Sequence, residues 1–534
     1  MKYLRKIIFC TAIGAIAVTS CNREELTDLN INPQALNTID VNFLFTSAQL
    51  GAASGGSRGD NRYIDWRTNI RMCGYAIQHL ATTGGDPGDK YTDDAETSSA
   101  PFEFIYADQL KNLAAVLKQT GPGGWAEGQN QNLRQASRIL RAFLFHRLTD
   151  YYGSVPYFET MQVEEGIFFP KYDKQQDIYT DLLKELDEAT AALGSPAADG
   201  FEQADLYYSG DVAKWKRWGY SLMLRLAMRV SNVAPDLANT YVQKAVAGGV
   251  FTSNDDNVIV PMAEAPSLWV NQNGISRAFF PGDGGQVTFL SRTLVDFLKG
   301  VDKGTVADDD PRLMIISGGI GNWEAAGAGA IWNVTNADPL AQTGMPNGLS
   351  QSQLEDSVGV SPLNLNATYS KINPKLLDRA EPYMLMNYGE VELLLAEAAE
   401  RGIGGVTGAQ AHYEAGVKAS MQMYTIYDAS LTVSDAQVTS YLNTYPYGFR
   451  DNLVMIHEQL WVNHFLNWWE AWSDYRRARL PALIPTNAPG NVTGGKIPER
   501  LRYPNAEAAG NPNFNSGASA NDYTTPVWWA GGPA

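Results

Sequence analysis

The sequence predicts a mostly α-helical protein in which helical hairpins surround one irregular, loop-rich insert. Three observations predict this fold class. Several segments place apolar residues at helical spacing, short breaks rich in glycine and proline separate them, and the spacing is lost between residues 251 and 380. Short breaks between helices favour antiparallel hairpins, which are the unit of a helical solenoid.

The N-terminus has the pattern of an export signal. A short basic start precedes an apolar stretch, residues 7–18, that is too short to span a bilayer. Small residues then lead directly into Cys21, as in a lipoprotein cleavage site. We therefore expect residues 1–20 to be a signal peptide, Cys21 to carry palmitate or a similar acyl group, and residues 21–40 to form a tether. An ordinary signal peptide followed by a chance cysteine is the alternative.

Charge and cysteine content restrict the classes of partner. The formal net charge is −17 at pH 7, so the chain is not expected to bind nucleic acid or anionic lipid by electrostatic attraction. No later stretch is apolar over about eighteen residues, which leaves the lipid on Cys21 as the expected membrane anchor. Cys73 has no partner after signal cleavage, and we expect it to be a buried small hydrophobe.

The first helical region is assigned to residues 41–250 and is expected to contain helical repeats. Apolar residues at helical spacing across residues 133–151 predict one long helix. Asp173, with Gln176 three residues later, predicts a capping box at the start of the next helix. Asp211 is expected to cap a further helix.

The second helical region, residues 381–534, is expected to contain C-terminal helical hairpins and a loop-rich tail. Pro382 is predicted in the first turn of a helix that continues through Met384. Thr407 is predicted to begin the partner helix. The last long helix is predicted to run without interruption over residues 452–479.

The insert between the two helical regions, residues 251–380, is predicted to bind the ligand. Glycine, asparagine, proline and isolated tryptophans dominate it, and a long loop-rich stretch inside a compact protein is usually functional. Sugar rings pack their apolar faces on aromatic rings, while their hydroxyl groups need amide or carboxylate partners. The candidate ligand-binding residues are Trp269, Asn271, Asn273, Trp323, Trp332 and, in a polar loop outside the insert, Tyr91. The alternative is that these rings cover a small core within the insert.

Catalysis is the main competing hypothesis for a sugar-handling chain. A glycosidase needs two carboxyl groups about 5–10 Å apart across a cleft, and any acidic protein offers candidate pairs. The sequence contains no serine-hydrolase elbow, phosphate-binding loop or dinucleotide fingerprint. His457 and Glu458 begin like a zinc-peptidase helix, but Trp461 stands where the second ligand is needed. The acidic run at residues 308–310 lacks the calcium-loop pattern and is expected to be a turn. We predict no catalytic residue, no metal and no cofactor.

Six short segments are spread in order along nearly the whole chain. They are Leu29–Pro33, Trp218–Arg229, Asp310–Leu313, Met386–Ala398, Glu470–Arg477 and Arg502–Glu507. Together they resemble the SusD/RagB family, specifically its SusD-like branch. The resemblance implies a mostly α-helical fold with tetratricopeptide-like repeats and an irregular ligand-binding region. It also implies an outer-membrane position facing the cell exterior and a TonB-dependent transporter as partner.

The residues shared with the family are expected to stabilise the fold rather than bind the ligand. Arg225 and Arg229 lie four residues apart on one predicted helix and are expected to pair with carboxylates of neighbouring helices. Glu390 and Glu397 are candidates for those carboxylates. Trp468, Trp472 and Tyr475 share one helical face and are expected in the core.

These observations predict a surface-exposed, lipid-anchored protein that binds a nutrient, preferentially a glycan, and delivers it to a TonB-dependent outer-membrane transporter. A peptide remains open as the ligand. Two alternatives are a secreted carbohydrate-active hydrolase and a helical-repeat scaffold that binds only protein. A scaffold would not require an insert rich in aromatic residues, whereas a sugar-binding site would.

Overall fold

The structure is a computed structural model that describes part of the chain. The described residues are 39–54, 62–194, 199–265, 270–280, 287–326, 329–361 and 364–533. The predicted signal peptide, Cys21, nearly all of the tether and the segment Leu29–Pro33 lie outside them.

Helices dominate both ends of the described chain. In chain order the α-helices are α1 (Val41–Ser54), α2 (Pro87–Lys90), α3 (Ala95–Phe104), α4 (Lys111–Thr120), α5 (Gln131–Tyr152), α6 (Gln175–Ala192), α7 (Val212–Arg229), α8 (Pro235–Gly248), α9 (Gly274–Phe279), α10 (Arg292–Leu298), α11 (Leu313–Ile316), α12 (Gln351–Val358), α13 (Leu365–Thr368), α14 (Tyr388–Glu400), α15 (Ala409–Gln422), α16 (Asp435–Thr444), α17 (Asn452–Asn463), α18 (Trp468–Ala478), α19 (Asn505–Gly510) and α20 (Phe514–Gly517). Two π-helical stretches, Asp65–Gly74 and Ile105–Leu110, flank α3.

Successive helices pack against one another. Helix α5 packs on α6, α6 on α7 and α7 on α8, while α14 packs on α15 and α17. Helix α7 illustrates the cause, because the Asp211 carboxylate accepts the free N–H groups of Ala213 and Lys214 at its start. Its face containing Trp215 and Trp218 is completely buried. The prediction of a mostly α-helical chain of hairpins around an insert is confirmed.

The strands are short and lie mainly in and around the insert. They are β1 (Leu80–Ala81), β2 (Val155–Pro156), β3 (Tyr172–Asp173), β4 (Val258–Val260), β5 (Phe289–Leu290), β6 (Ser317–Ala326), β7 (Gly329–Asn336), β8 (Ser370–Ile372) and β9 (Tyr383–Met386). Antiparallel pairs join β1 to β5, β2 to β3 and β4 to β9, and a three-stranded sheet has the order β7-β6-β8.

The insert is therefore more regular than the sequence predicts. Besides the three-stranded sheet it contains α9 to α13, and strand β4 near its start pairs with β9 just beyond its end. It also has a small core of its own, in which Phe289, Met345, Leu354 and Tyr369 are buried together. Glycine-rich strands such as β6 lack the alternation of apolar and polar residues that normally reveals a strand.

Two predicted helix starts are wrong. Asp173 ends strand β3, and its carboxylate accepts the N–H groups of Tyr157 and Phe158 at 2.9 and 2.8 Å, so it cannot cap α6. Pro382 and Met384 are not helical, because residues 383–386 form β9. Helix α14 starts after Asn387, whose side chain accepts the N–H of Glu390.

Two predictions for the C-terminal helices also need correction. The stretch 452–479 is not one helix, because α17 ends at Asn463 and α18 begins at Trp468. Between them Leu466 has a φ of +75°, a left-handed conformation that interrupts the helical hydrogen bonds. Helix α15 begins after Gly408, also left-handed with a φ of +83°, and not at Thr407.

The predicted pairing of the family arginines is confirmed. Arg225 binds Glu390 through two hydrogen bonds of 2.5 and 2.6 Å, and Arg229 pairs with Glu470. Glu397 instead receives two 2.6 Å hydrogen bonds from Arg477. These completely buried ion pairs connect α7, α14 and α18 across the centre of the helical frame.

The aromatic residues predicted for the core are largely in it, since Trp468 and Trp472 are fully buried and Tyr475 packs at the edge. Cys73 is buried as predicted, and burial raises the pKa of its thiol to about 12. No helix among the described residues is both long and apolar enough to cross a membrane.

Candidate functional site

A cleft of about 460 Å³ lies where three distant parts of the chain meet. One wall comes from Gln78, next to β1. A second comes from the insert, through the start of α10 and residues 346–349, and the third comes from tail residues 484–488. A volume of this size falls within the range of small-ligand sites in proteins. The cleft is thus the candidate site of the described chain.

Gln78 ties two of these walls together. Its Nε2 donates to the carbonyl of Ile484, and its Oε1 accepts a 2.7 Å hydrogen bond from the Thr293 hydroxyl. Its backbone has a φ of +57°, which is uncommon for a residue with a side chain. Such a conformation persists only where the surroundings hold it, and functional sites often contain it.

Asp89 forms hydrogen bonds with residues of two walls of the cleft. Its buried carboxylate accepts hydrogen bonds from the Asn347 side chain at 2.7 Å and the Gly348 N–H at 3.1 Å. Burial raises the pKa of Asp89, although the ion pair with Lys90 acts in the opposite direction. The Thr486 hydroxyl donates to the Asp89 carbonyl at 3.0 Å. One residue thereby fixes the insert and the tail against each other.

Gly348 allows the closest approach of the insert to the tail. Its φ is +83°, and a Cβ atom added there would lie 2.6 Å from Cβ of Thr486. A side chain at this position would push the two walls apart. Contacts within the chain thus hold the walls of the cleft in place.

The open surface of the cleft mixes polar and apolar groups. Arg292 and Asn487 are exposed and Asp296 is half-buried, while the Ile484 side chain is 79% exposed. A surface of this kind suits sugars, which present hydroxyl groups and apolar C–H faces together. Asp296 is the one carboxylate among the described residues lining the cleft, whereas glycoside hydrolysis uses a pair.

Tyr91, a predicted site residue, lies behind the wall of this cleft. Its side chain is only 1% exposed, and its hydroxyl accepts the Thr486 N–H at 3.3 Å. Its carbonyl accepts the N–H of Val492 at 2.8 Å, and burial raises the pKa of its phenol to about 12. Tyr91 therefore supports the tail wall and offers no open ring face to a sugar.

The two predicted asparagines lie in another part of the insert. Asn273 is buried, where its Oδ1 caps α9 and its Nδ2 donates to the carbonyl of Glu381 at 3.1 Å. Asn271 is half-buried, and its carbonyl accepts the N–H of Ala263 at 2.8 Å. The hydrogen-bonding capacity of Asn273 is thus used within the fold.

The predicted tryptophans are only partly described. Trp269 lies outside the described residues. Trp323 in β6 and Trp332 in β7 are direct partners across the antiparallel pair, so the backbone brings these two positions together. Their side chains, like those of residues 322–332 as a whole, are outside the description. Their part in ligand binding stays a prediction.

One cluster outside the cleft has metal-ligating residue types. Ligand atoms of Glu390, His464 and Glu470 lie within 4.8 Å of one another in the core. Burial alone would raise the pKa of Glu470, but Arg229 and Arg225 outweigh it and hold that pKa well below its usual range. Because the two guanidinium groups already balance the carboxylates, we assign this cluster to the buried ion pairs.

Sequence reasoning missed the residues that form the cleft. Gln78 lies in no recognisable motif, and its left-handed backbone cannot be seen in the sequence. Residues 484–488 belong to a tail rich in proline and asparagine, like the insert. That shared composition was the available signal that tail and insert form one surface.

An exposed apolar patch lies elsewhere, in the loop between β2 and β3. Phe168 is 67% exposed and Phe169 is 54% exposed, and both border a groove of about 330 Å³. Phe158 and Val163 in the same loop are also exposed. Clustered exposed apolar residues of this kind commonly mark a protein–protein contact.

Comparisons with known proteins agree with this fold. A SusD-like family model described as "Starch-binding associating with outer membrane" matches residues 33–504. A solved chitin-binding protein is 33% identical over 92% of this chain and 100% of its own, with a TM-score of 0.75. A Bacteroidetes AC2a SusD-like structure is 25% identical over the same shares, also with a TM-score of 0.75. No curated protein matches the sequence.

A chitin-binding SusD homologue from Flavobacterium johnsoniae has the same fold at 23% identity, covering 92% of this chain and 98% of its own with a TM-score of 0.70. This chain belongs to the SusD-like family, as its six sequence segments predicted.

Proposed function

We propose that this protein binds a glycan in the cleft between Gln78, the insert and the tail, and passes it to an outer-membrane transporter. The observation that carries the proposal is a cleft held by contacts within the chain, whose open face combines amide, charged and apolar groups. The presence of a single lining carboxylate favours binding over hydrolysis. That the chain is not an enzyme stays a prediction.

Chitin oligosaccharides are the glycans to test first, because a relative that is 33% identical is a chitin-binding protein. We expect chitohexaose to bind the purified chain in mild detergent, measured by calorimetry. Arg292→Gln and Asp296→Asn, which remove charges facing the cleft, should each weaken binding about tenfold through lost charge-assisted hydrogen bonds. Asp255→Asn, an exposed residue outside the lining, is the matched control.

Maltohexaose provides the second arm, because the family description names starch. The proposed site would be supported if either sugar binds and its affinity falls in the two cleft variants but not in the control. Unchanged affinity in both cleft variants would place the glycan elsewhere, and cleavage of either sugar would favour the hydrolase alternative.

The expected partner is a TonB-dependent transporter, and the exposed patch around Phe168 supports a protein contact on this chain. Affinity purification from solubilised outer membranes should recover a barrel protein in near-equal amount. Phe168→Asp should abolish that recovery, whereas Phe449→Asp, at a phenylalanine 50% exposed elsewhere, should not. Recovery of the lipoprotein alone would contradict the partnership, and equal recovery with both variants would contradict its location.

Export and lipid anchoring through Cys21 complete the proposal. Together they would place the cleft-bearing domain at the outer membrane, facing the cell exterior. The acidic surface charge is in line with anchoring by lipid rather than by attraction to anionic headgroups.

A further inference from the structure

A second cavity, of about 410 Å³, lies between the start of α6 and the C-terminal tail. Its lining includes Ser154 after α5, Lys174 before α6, and Arg500, Ser516 and Ser519 from the tail. The candidate glycan cleft shares none of these residues. The two cavities are therefore distinct sites.

Arg500 is the unusual member of this lining. It is 1% exposed, and its Nη2 donates to the carbonyl of Tyr152 and to the Tyr503 hydroxyl at 3.3 Å. Its Nε–H has no hydrogen-bond partner among the described residues, and none of their carboxylates lies within ion-pair distance. Burial lowers the pKa of Arg500, which reflects the cost of keeping this cation away from water.

Three other buried arginines are better compensated. Arg225 and Arg477 each bind a carboxylate through two hydrogen bonds. Arg476 has no carboxylate partner, but it donates to the carbonyls of Asp150 and Glu499 and lies 3.7 Å over the Trp472 ring. The guanidinium of Arg500 also lies over an aromatic ring, 5.7 Å from the Tyr503 centroid, but among the described residues it donates to one carbonyl and to no carboxylate, and it lines a cavity.

Asp522 is the carboxylate that interacts electrostatically with Arg500, but its oxygens accept hydrogen bonds within their own turn. One oxygen accepts the N–H groups of Thr524 and Thr525 at 2.7 Å, and the other accepts the Thr525 hydroxyl at 2.8 Å. Within the described part of the chain, the positive charge of Arg500 therefore has no direct counter-ion.

Lys174 adds a second cation at this cavity. Its side chain is exposed and makes no ion pair with a described residue. None of the described residues lining the cavity is acidic, although the chain as a whole carries a formal charge of −17. The Ser519 hydroxyl donates to the Ser154 hydroxyl at 3.0 Å, and the Ser516 hydroxyl donates to the Asn513 carbonyl at 3.2 Å. The Ser154 O–H can still donate to a ligand, and the Ser516 oxygen can still accept from one. The cavity thus combines local positive charge with hydroxyl groups.

We propose that this cavity binds a small carboxylate of the size of a single sugar acid. The carboxylate would accept hydrogen bonds from the Arg500 guanidinium and an ion pair from Lys174, while the serines meet the hydroxyl groups of the ring. Guanidinium groups bind carboxylates through charge-assisted hydrogen bonds, which are the strong ones in proteins. The choice of a sugar acid among carboxylates rests on the proposed glycan-binding function.

The test is calorimetry on the full chain in mild detergent, with D-glucuronate as the probe and D-glucose as its neutral match. Glucuronate should bind and glucose should not, because only the former has the carboxylate. Lys174→Gln should weaken glucuronate binding about tenfold, since it removes one charge-assisted contact at an exposed position. Lys184→Gln, on the helix that follows Lys174 but outside the cavity, should leave affinity unchanged.

Arg500→Lys removes the guanidinium that is expected to bind the ligand carboxylate, while it keeps the positive charge. The melting curve of this variant shows whether it still folds. If that variant does not fold, the comparison between the two lysine variants decides alone. Absence of glucuronate binding, equal binding of glucose, or equal affinity in both lysine variants would overturn the proposal. Loss of chitin or starch binding in the cleft variants does not affect the glucuronate measurements. Failure of the proposed glycan cleft can therefore be distinguished from failure of the proposed carboxylate site.

Discussion

The contact between Glu397 and Arg477 should contribute strongly to the pH dependence of stability. Burial alone would raise the pKa of Glu397, but Arg477 and His457 outweigh it and lower that pKa from 4.5 to about 2. This difference between the unfolded and folded pKa corresponds to about 3 kcal/mol of unfolding free energy at pH 7. Replacing the carboxylate by its neutral amide, in Glu397→Gln, should remove an amount of this size.

The sign of the pH dependence follows from the lowered pKa. The contribution of Glu397 is fully present above pH 4.5, where the unfolded carboxyl group is ionised, and is lost as pH falls towards about 2. The stability gap between wild type and Glu397→Gln should therefore be constant near neutrality and shrink below pH 4.5. Urea unfolding followed by tryptophan fluorescence, at several pH values, measures the gap.

Glu355→Gln is the matched control, because Glu355 is exposed on α12. Glu355→Gln should change the free energy of unfolding by no more than about 0.5 kcal/mol, as is usual for surface substitutions. A Glu397→Gln variant as stable as this control at pH 7 would refute the reasoning. A gap that widens on acidification would refute it as well, since a lowered carboxyl pKa has the opposite effect.

Two further predictions concern the ligand and the anchor. Trp269→Ala, Trp323→Ala or Trp332→Ala should weaken glycan affinity in calorimetry about five- to hundredfold, from about 1–3 kcal/mol of lost stacking, without lowering the melting temperature. Trp472→Ala, in the buried core, should lower the melting temperature first; unchanged affinity in all three insert variants would contradict their assignment. Cys21→Ala should release the protein from the membrane fraction, and an absence of acyl groups on the wild type by mass spectrometry would count against the anchor.

The fold was predictable where periodicity and charge pattern agree. Asp211 caps α7 as expected, and the two arginines of that helix find carboxylates because their spacing of four residues puts them on one face. The helix starts near Asp173 and Pro382 were mispredicted because both segments pair as short strands with distant partners. Propensity and local spacing do not contain that information.

The candidate site was less predictable for a similar reason. The cleft depends on contacts between residues more than 200 positions apart, such as Gln78 with Thr293 and with Ile484. Aromatic content led to the insert, but the wall residues are amide, charged, aliphatic and small side chains that form no distinctive motif. Tyr91, a predicted site residue, lies next to the candidate cleft, but its ring is part of the scaffold behind it.

The pairing of β4 with β9 has a consequence for how this protein could diversify. The chain leaves the helical frame and returns to it at one place, since Val258 and Met386 are antiparallel partners. Lengthening or replacing the intervening stretch adds little closure entropy, because that cost grows only slowly with loop length. Under the proposed function, changes of sequence between β4 and β9 would alter which sugar is bound. The buried arginine pairs of the frame would stay unchanged.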